Sequence, residues 1–158
     1  MKVALIGRTE VLYSTAELLV ERGHEIVLVV TAKAAPEYTR TAEDFEVLAR
    51  KLGVPFVHSA QIGEIAELIP SLPKVDVGVS MNYPGIIPAT IIDLFPLGIL
   101  NAHGGDLPRY RGNACQAWAI LNAEDRVGLC VHKMVGGELD SGDIITREYH
   151  PLNLETTV

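Results

Sequence analysis

The segment 98–113, GILNAHGGDLPRYRGN, sets an amide and an imidazole two positions apart, at Asn101 and His103, directly after an apolar run. Side chains alternate across a strand, so Asn101 and His103 face the same way. An imidazole moves protons near neutral pH, and an amide N–H stabilises a developing oxyanion. A carboxylate would complete the set by orienting the ring or raising its pKa. The segment 137–143, GELDSGD, offers Glu138, Asp140 and Asp143 in a glycine-flanked loop. Each group alone also fits a plainer role: a capped strand end, or solvated loop acids. Gly104 and Gly105 permit close backbone approach to a ligand, and Pro108 stiffens the loop. No serine or cysteine stands in an obviously activated position, and nothing marks Ser141. Direct attack by a bound substrate is the chemistry that remains.

These groups need a frame, and the hydrophobic pattern supplies one. Short apolar runs at KVALIG, EIVLVV, VPFVH, KVDVGVSM and GILNAH read as five buried strands. Between them, VLYSTAELLVERG, AEDFEVLARKLG, IGEIAELIPSL and ATIIDLF read as helices, with Thr41 and Asp44 as a capping pair. ACQAWAILNA follows as a helix, and then GLCVHKMV and DIITREYH as a strand pair joined by the acidic loop. This order predicts one α/β domain: a three-layer, Rossmann-like open sheet, mainly parallel with a late antiparallel portion. Ligands of such sheets bind at the carboxyl ends of the strands, where Asn101 and His103 fall. The first strand–helix turn, GRTEVL, has one glycine and lacks the dinucleotide fingerprint, which argues against an NAD site. Arg8 and Tyr13 in that region are candidates to reach an acceptor phosphate at the helix N-terminus.

Composition narrows the classes further. The chain has 158 residues, 48% of them apolar, enough for one domain with a real core. A net charge of −7 argues against a surface built mainly to grip nucleic acid, although Arg109 and Arg111 form a local basic pair. Cys115 and Cys130 have no metal-type spacing and read as reduced, buried thiols of a cytoplasmic protein. No run reaches the ~20 apolar residues of a membrane span, no metal spacing is seen, and nothing fixes an oligomeric state. His132, in phase with Cys130 and Met134, reads as a core or partly covered histidine. His24, His58 and His150 read as surface residues, and Trp118 as core. The final NLETTV reads as the approach to a helix, which predicts a chain trimmed or lacking a carboxyl-terminal extension.

Taken together, NAHGGDLPRYRGNACQAWAI and the later ELDSGD resemble the folate-dependent formyltransferases. That family includes glycinamide ribonucleotide, methionyl-tRNA and sugar-amine formyltransferases. Its pattern is Asn-x-His, then Leu-Pro-x-Tyr/Trp-Arg-Gly, then Leu-Asp-x-Gly. Asn101 and His103 match the first element; Leu107, Pro108, Tyr110, Arg111 and Gly112 match the second; Leu139, Asp140 and Gly142 match the third. The resemblance covers nearly the whole chain. It implies transfer of a formyl group from 10-formyltetrahydrofolate, as co-substrate, to a primary amine, without a metal. Asn101 would bind the tetrahedral oxyanion. His103 would stabilise it and pass a proton to the leaving nitrogen. Asp140 would hold His103 and help deprotonate the amine. The folate ring would lie between SMNYPGII and MVGGELDSGD, with Met81, Asn82, Tyr83, Gly136 and Glu138 as walls.

Two departures from the pattern bear on the acceptor. Relatives often carry Ser-Leu-Leu-Pro where this chain has Gly105-Asp106-Leu107-Pro108, so Asp106 is expected at the substrate mouth, attracting a cationic amine or repelling a phosphate. Arg111 is expected to pair locally, fix the loop or meet an anionic acceptor. With the acidic balance and no further domain in these residues, the expected acceptor is a small-molecule amine, for example on a sugar nucleotide, with tRNA disfavoured. Formyltetrahydrofolate hydrolysis, with water as acceptor, and a folate-binding module without turnover are the competing readings.

Overall fold

The computed structural model describes residues 1–153 and 155–157. Seven strands form one sheet in the order β3-β2-β1-β4-β5-β6-β7. Strands β1 (Lys2–Gly7), β2 (Glu25–Thr31), β3 (Phe56–His58), β4 (Val77–Met81) and β5 (Ile99–His103) are parallel. Strands β6 (Arg126–Lys133) and β7 (Ile144–Pro151) then run antiparallel. The mainly parallel sheet with its late antiparallel portion is therefore present as expected.

Both faces of the parallel portion are covered, which is why its strands are apolar at successive positions rather than at alternate ones. On one face Val3 and Leu5 pack with Leu12 and Ala16 of α1 (Glu10–Glu21) and with Phe45 and Leu48 of α2 (Ala42–Leu52). On the other, Ala4 and Ile6 pack with Ile65 of α3 (Ile65–Leu68), Ile91 of α4 (Ala89–Ile92) and Phe95. Each large apolar side chain fully removed from water contributes about 1.5–3 kcal/mol against chain entropy. The expected cap of α2 forms: the Asp44 carboxylate accepts from the Thr41 N–H at 2.8 Å. Gly7 ends β1 so close to β4 that a Cβ there would lie 2.0 Å from the Met81 carbonyl oxygen. The single glycine of the first turn thus serves strand packing.

Two readings need correction. The helix expected over 62–72 breaks into a 3-10 turn at Ile62–Glu64, the short α3, and a second 3-10 turn at Ile69–Ser71. Pro70 has no N–H to donate and Gly63 weakens the first turn, while Ile62, Ile65 and Ile69 still reach the core. Trp118 is not core. It lies on α5 (Cys115–Leu121), which buries Cys115 and Ala119 one turn apart and leaves Trp118 56% exposed. In the final segment, Asn153 Oδ1 accepts from the Glu155 N–H at 2.9 Å. The approach to a helix expected there involves Leu154 and Val158, outside the described residues. Among the described residues no helix is long and apolar enough to cross a membrane.

Candidate functional site

β5 lies in the sheet between β4 and β6, with Asn101 opposite Ser80 on one side and His132 on the other. Asn101 and His103 share a face at the carboxyl end of β5, as the period of two requires. His103 is 8% exposed. Its Nε2 lies 2.7 Å from the Tyr110 carbonyl, which only accepts, so Nε2 carries the N–H. Its Nδ1 lies 3.6 Å from Asp140 Oδ2.

Asp140 reaches the sheet because the loop after β6 folds back tightly. Lys133 N–H donates to the Asp143 carbonyl at 2.9 Å, and a Cβ on Gly142 would fall 1.6 Å from the Lys133 carbonyl oxygen. No side chain fits at 142. Asp140 itself adopts φ 47°, a left-handed conformation that Asp tolerates better than most residues. Its side chain is 9% exposed and accepts the Gly112 N–H at 2.9 Å. Burial works to raise its pKa, but contacts with His132, the Gly112 amide and His103 outweigh it and hold the carboxyl below its ordinary value. The site therefore holds an ionised, nearly covered carboxylate beside two imidazoles.

His132 is buried, as read, yet it also belongs to the constellation. Its Nδ1 faces the Lys133 carbonyl at 3.2 Å. Its Nε2 lies between Asn101 Nδ2 at 3.2 Å and Asp140 Oδ1 at 3.5 Å. Nε2 donates to Asp140 when it carries a proton; with the proton on Nδ1, donated to the Lys133 carbonyl, Nε2 accepts from Asn101. That fixes the Asn101 amide and leaves its second N–H for a ligand. The in-phase Cys130 and His132 were the only sequence signal, and sequence does not show which strand they face. Cys115 Sγ lies 3.5 Å from His103 Nε2. Burial first, then the Asp140 charge, push its thiol up, which keeps it protonated rather than nucleophilic. The Ser141 hydroxyl is buried without a partner.

Two cavities meet at His103. The first, about 410 Å³, lies between 80–87 and 134–140 and is lined by Asn82, Tyr83, Ile86, Asn101, His132 and Asp140, among others. Glu138 also lines it. Two of the expected wall residues lie outside it: the Met81 side chain packs against the α1–α2 core, and Gly136 abuts Ala89. The second cavity, about 870 Å³, is lined by Arg8, Glu37, Tyr38, Asn113, Gln116 and His150, and by His103. Arg8 is held by the Asn82 carbonyl at 2.9 Å and lies over the Tyr38 ring, 5.4 Å from its centroid.

Tyr13 is elsewhere, edge-on to Phe45 and under Arg40. Asp106 is also outside both cavities, because Arg147 and Tyr149 hold it on the β7 side. Arg111 is exposed, outside both cavities, and forms no ion pair among the described residues. Gly105 meets protein rather than ligand, since a Cβ there would lie 2.7 Å from His103 Nε2. His150 is exposed as read but lines the second cavity, and neither Tyr38 nor Gln116 carries a local signal for doing so. Among the described residues no cluster of His, Cys, Asp and Glu could hold a metal.

The sequence profile of the formyl transferase family matches residues 1–158. The chain belongs to the formyl transferase family. It is 33% identical over 162 residues to a methionyl-tRNA formyltransferase of Alkaliphilus oremlandii (strain OhILAs), covering 99% of this chain and 52% of that protein. This formyl transferase chain thus spans about half the length of the curated relatives it matches. Among solved structures, phosphoribosylglycinamide formyltransferase from Bacillus halodurans superposes with a TM-score of 0.78 at 20% identity, covering 99% of this chain and 83% of that one. An N-formyltransferase from Helicobacter canadensis, solved with folinic acid and dTDP-3-aminofucose, gives a TM-score of 0.71 at 18% identity, covering 97% and 54%. At these identities the structures establish the shared fold.

Proposed function

We propose that the chain transfers a formyl group from 10-formyltetrahydrofolate to a primary amine of a small molecule, a sugar-nucleotide amine being the leading class. The observation that carries this is His103 at the junction of two cavities, flanked by Asn101 and Asp140. The smaller cavity, with the apolar Ile86, Ile87, Met134 and Leu139 beside Asn101 and Asp140, suits a flat, polar-edged pterin. The larger one, with Arg8, Glu37 and Tyr38, suits a polar acceptor.

The free Asn101 N–H would stabilise the oxyanion as the amine nitrogen bonds the formyl carbon. Ionised Asp140 would take up the proton lost by that nitrogen, directly or through water, and hold His103 nearby. His103 would deliver a proton to the folate nitrogen as its bond to the formyl carbon breaks, and Asp140, facing Nδ1, would pass back to the ring the proton it took from the amine. The sum is one formyl group moved and one proton exchanged, so no oxidant or metal enters the balance.

Methionyl-tRNA is the second reading for the acceptor, favoured by the 33% identity to a methionyl-tRNA formyltransferase. Incubation with formyltetrahydrofolate and either amino-sugar nucleotides or methionyl-tRNA should release tetrahydrofolate with one acceptor class only. Release without any amine would favour hydrolysis. Absence of both folate binding and turnover in the full-length protein would overturn the transfer reading.

A further inference from the structure

The turn that orients His103 is anchored from outside the site. Asp106 Oδ1 accepts from the Tyr149 hydroxyl at 3.1 Å and faces Arg147 Nη1 at 3.5 Å. Arg147 also donates through Nη2 to the Leu107 carbonyl and through Nη1 to the Tyr149 hydroxyl. Its Nε stays buried with no partner, a cost that the rest of the clasp must offset. Arg126 stacks on Tyr149, 4.2 Å from the ring centroid. The turn sits so close over β6 that a Cβ on Gly128 would lie 2.8 Å from the Asp106 Cα. Within the turn, the Tyr110 N–H donates to the Asp106 carbonyl at 3.1 Å, and the Tyr110 carbonyl accepts from His103. Two residues on, the Gly112 N–H holds Asp140. One short stretch of backbone thus orients both members of the His103–Asp140 pair, and its outer end is tied to β7.

We propose that Asp106, clasped by Arg147 and Tyr149, is a positioning residue that holds the turn 105–110 where the Tyr110 carbonyl fixes the His103 ring. It lines neither cavity and so acts through other groups. The kinetic side of this proposal rests on the transfer reading above; the ring orientation does not. Asp106→Ala should lower kcat for formyl transfer by about ten- to a hundred-fold, with KM for formyltetrahydrofolate within about two-fold of wild type. Asp106→Asn, which still accepts from Tyr149, should recover most of the loss. Nitrogen-15 NMR of the histidine rings, with His103 assigned by comparison with His103→Asn, should show a protonated, hydrogen-bonded Nε2 in wild type. That signature should give way to mixed tautomers in Asp106→Ala. Should Asp106→Ala not fold, Arg147→Met, which removes the donors that hold Leu107 and Asp106, tests the same clasp. Wild-type kcat together with unchanged His103 ring signals in a folded variant overturns the proposal. If the wild-type protein transfers no formyl group, the functional reading falls by itself, and the ring signals still decide the positioning.

Discussion

The two halves of the sheet are built on opposite terms. In β1 and β2 nearly every residue is buried, and the side chains that matter are Val, Leu and Ile packed under α1 to α4. β7 is exposed at almost every position, and between the two lie Asn101, His103, His132 and Asp140, joined through side-chain and loop contacts. One half owes its shape to dispersion and water exclusion. The other owes it to a few directional contacts around a covered carboxylate, where the loss of one partner is felt at once. The lesson is a division of labour: mutations in the apolar half should be read in stability, and those in the polar half in rate.

The largest effect expected is Asp140→Asn. It keeps the shape but removes the charge that faces two imidazoles, so the proposed proton transfer loses its acceptor. A fall in kcat of about 10²–10⁴ is expected from general acid–base chemistry, with the melting temperature changed by only a few degrees. Steady-state formyl transfer and a thermal melt on the same sample check both halves. A large loss of stability with little loss of rate would dissolve the contrast between the two halves.

Phe45→Ala is the reverse case. Phe45 is 1% exposed, between α2 and the sheet and edge-on to Tyr13. Removing the ring should cost about 3–5 kcal/mol in urea unfolding. The kcat of the fraction still folded should not change.

The fold was largely legible because its signals are local. Continuous apolar runs mark strands covered on both faces, and the Thr41–Asp44 pair marks a helix start. The chemistry was legible at Asn101 and His103 because two residues apart on a strand means one face. Asp140 was one of three loop acids, distinguished only by the family pattern. The rest depended on register and loop closure, which no window of sequence encodes. Whether His132 stands beside Asn101 is a matter of how β6 pairs with β5. Asp106 reads as a mouth residue until β7 brings Arg147 and Tyr149 against it.

Acidity gives a smaller effect with a defined sign. The carboxyl of Asp140 is held below its ordinary value, so it binds its proton less readily folded than unfolded. Its stabilising contribution is therefore fully present above the unfolded carboxylate pKa of about 3.9 and is lost as pH falls through the lower folded value. The melting temperature of wild type should fall more steeply than that of Asp140→Asn across this acid range. Parallel curves throughout would mean that Asp140 is not held by its neighbours.

Trp118→Ala should do least, and it tests the sheet contrast with a residue of the most apolar class. The indole is 56% exposed, while the same helix buries Cys115 and Ala119. Had Trp118 been a core residue, its removal would cost about 3–5 kcal/mol, as for Phe45. On the outer side of α5 the expected cost is within about 0.5–1 kcal/mol by urea unfolding, because little apolar area returns to water. A core-sized loss would mean that something covers this side of α5 in solution, and the polar half would then be less open than its exposure suggests.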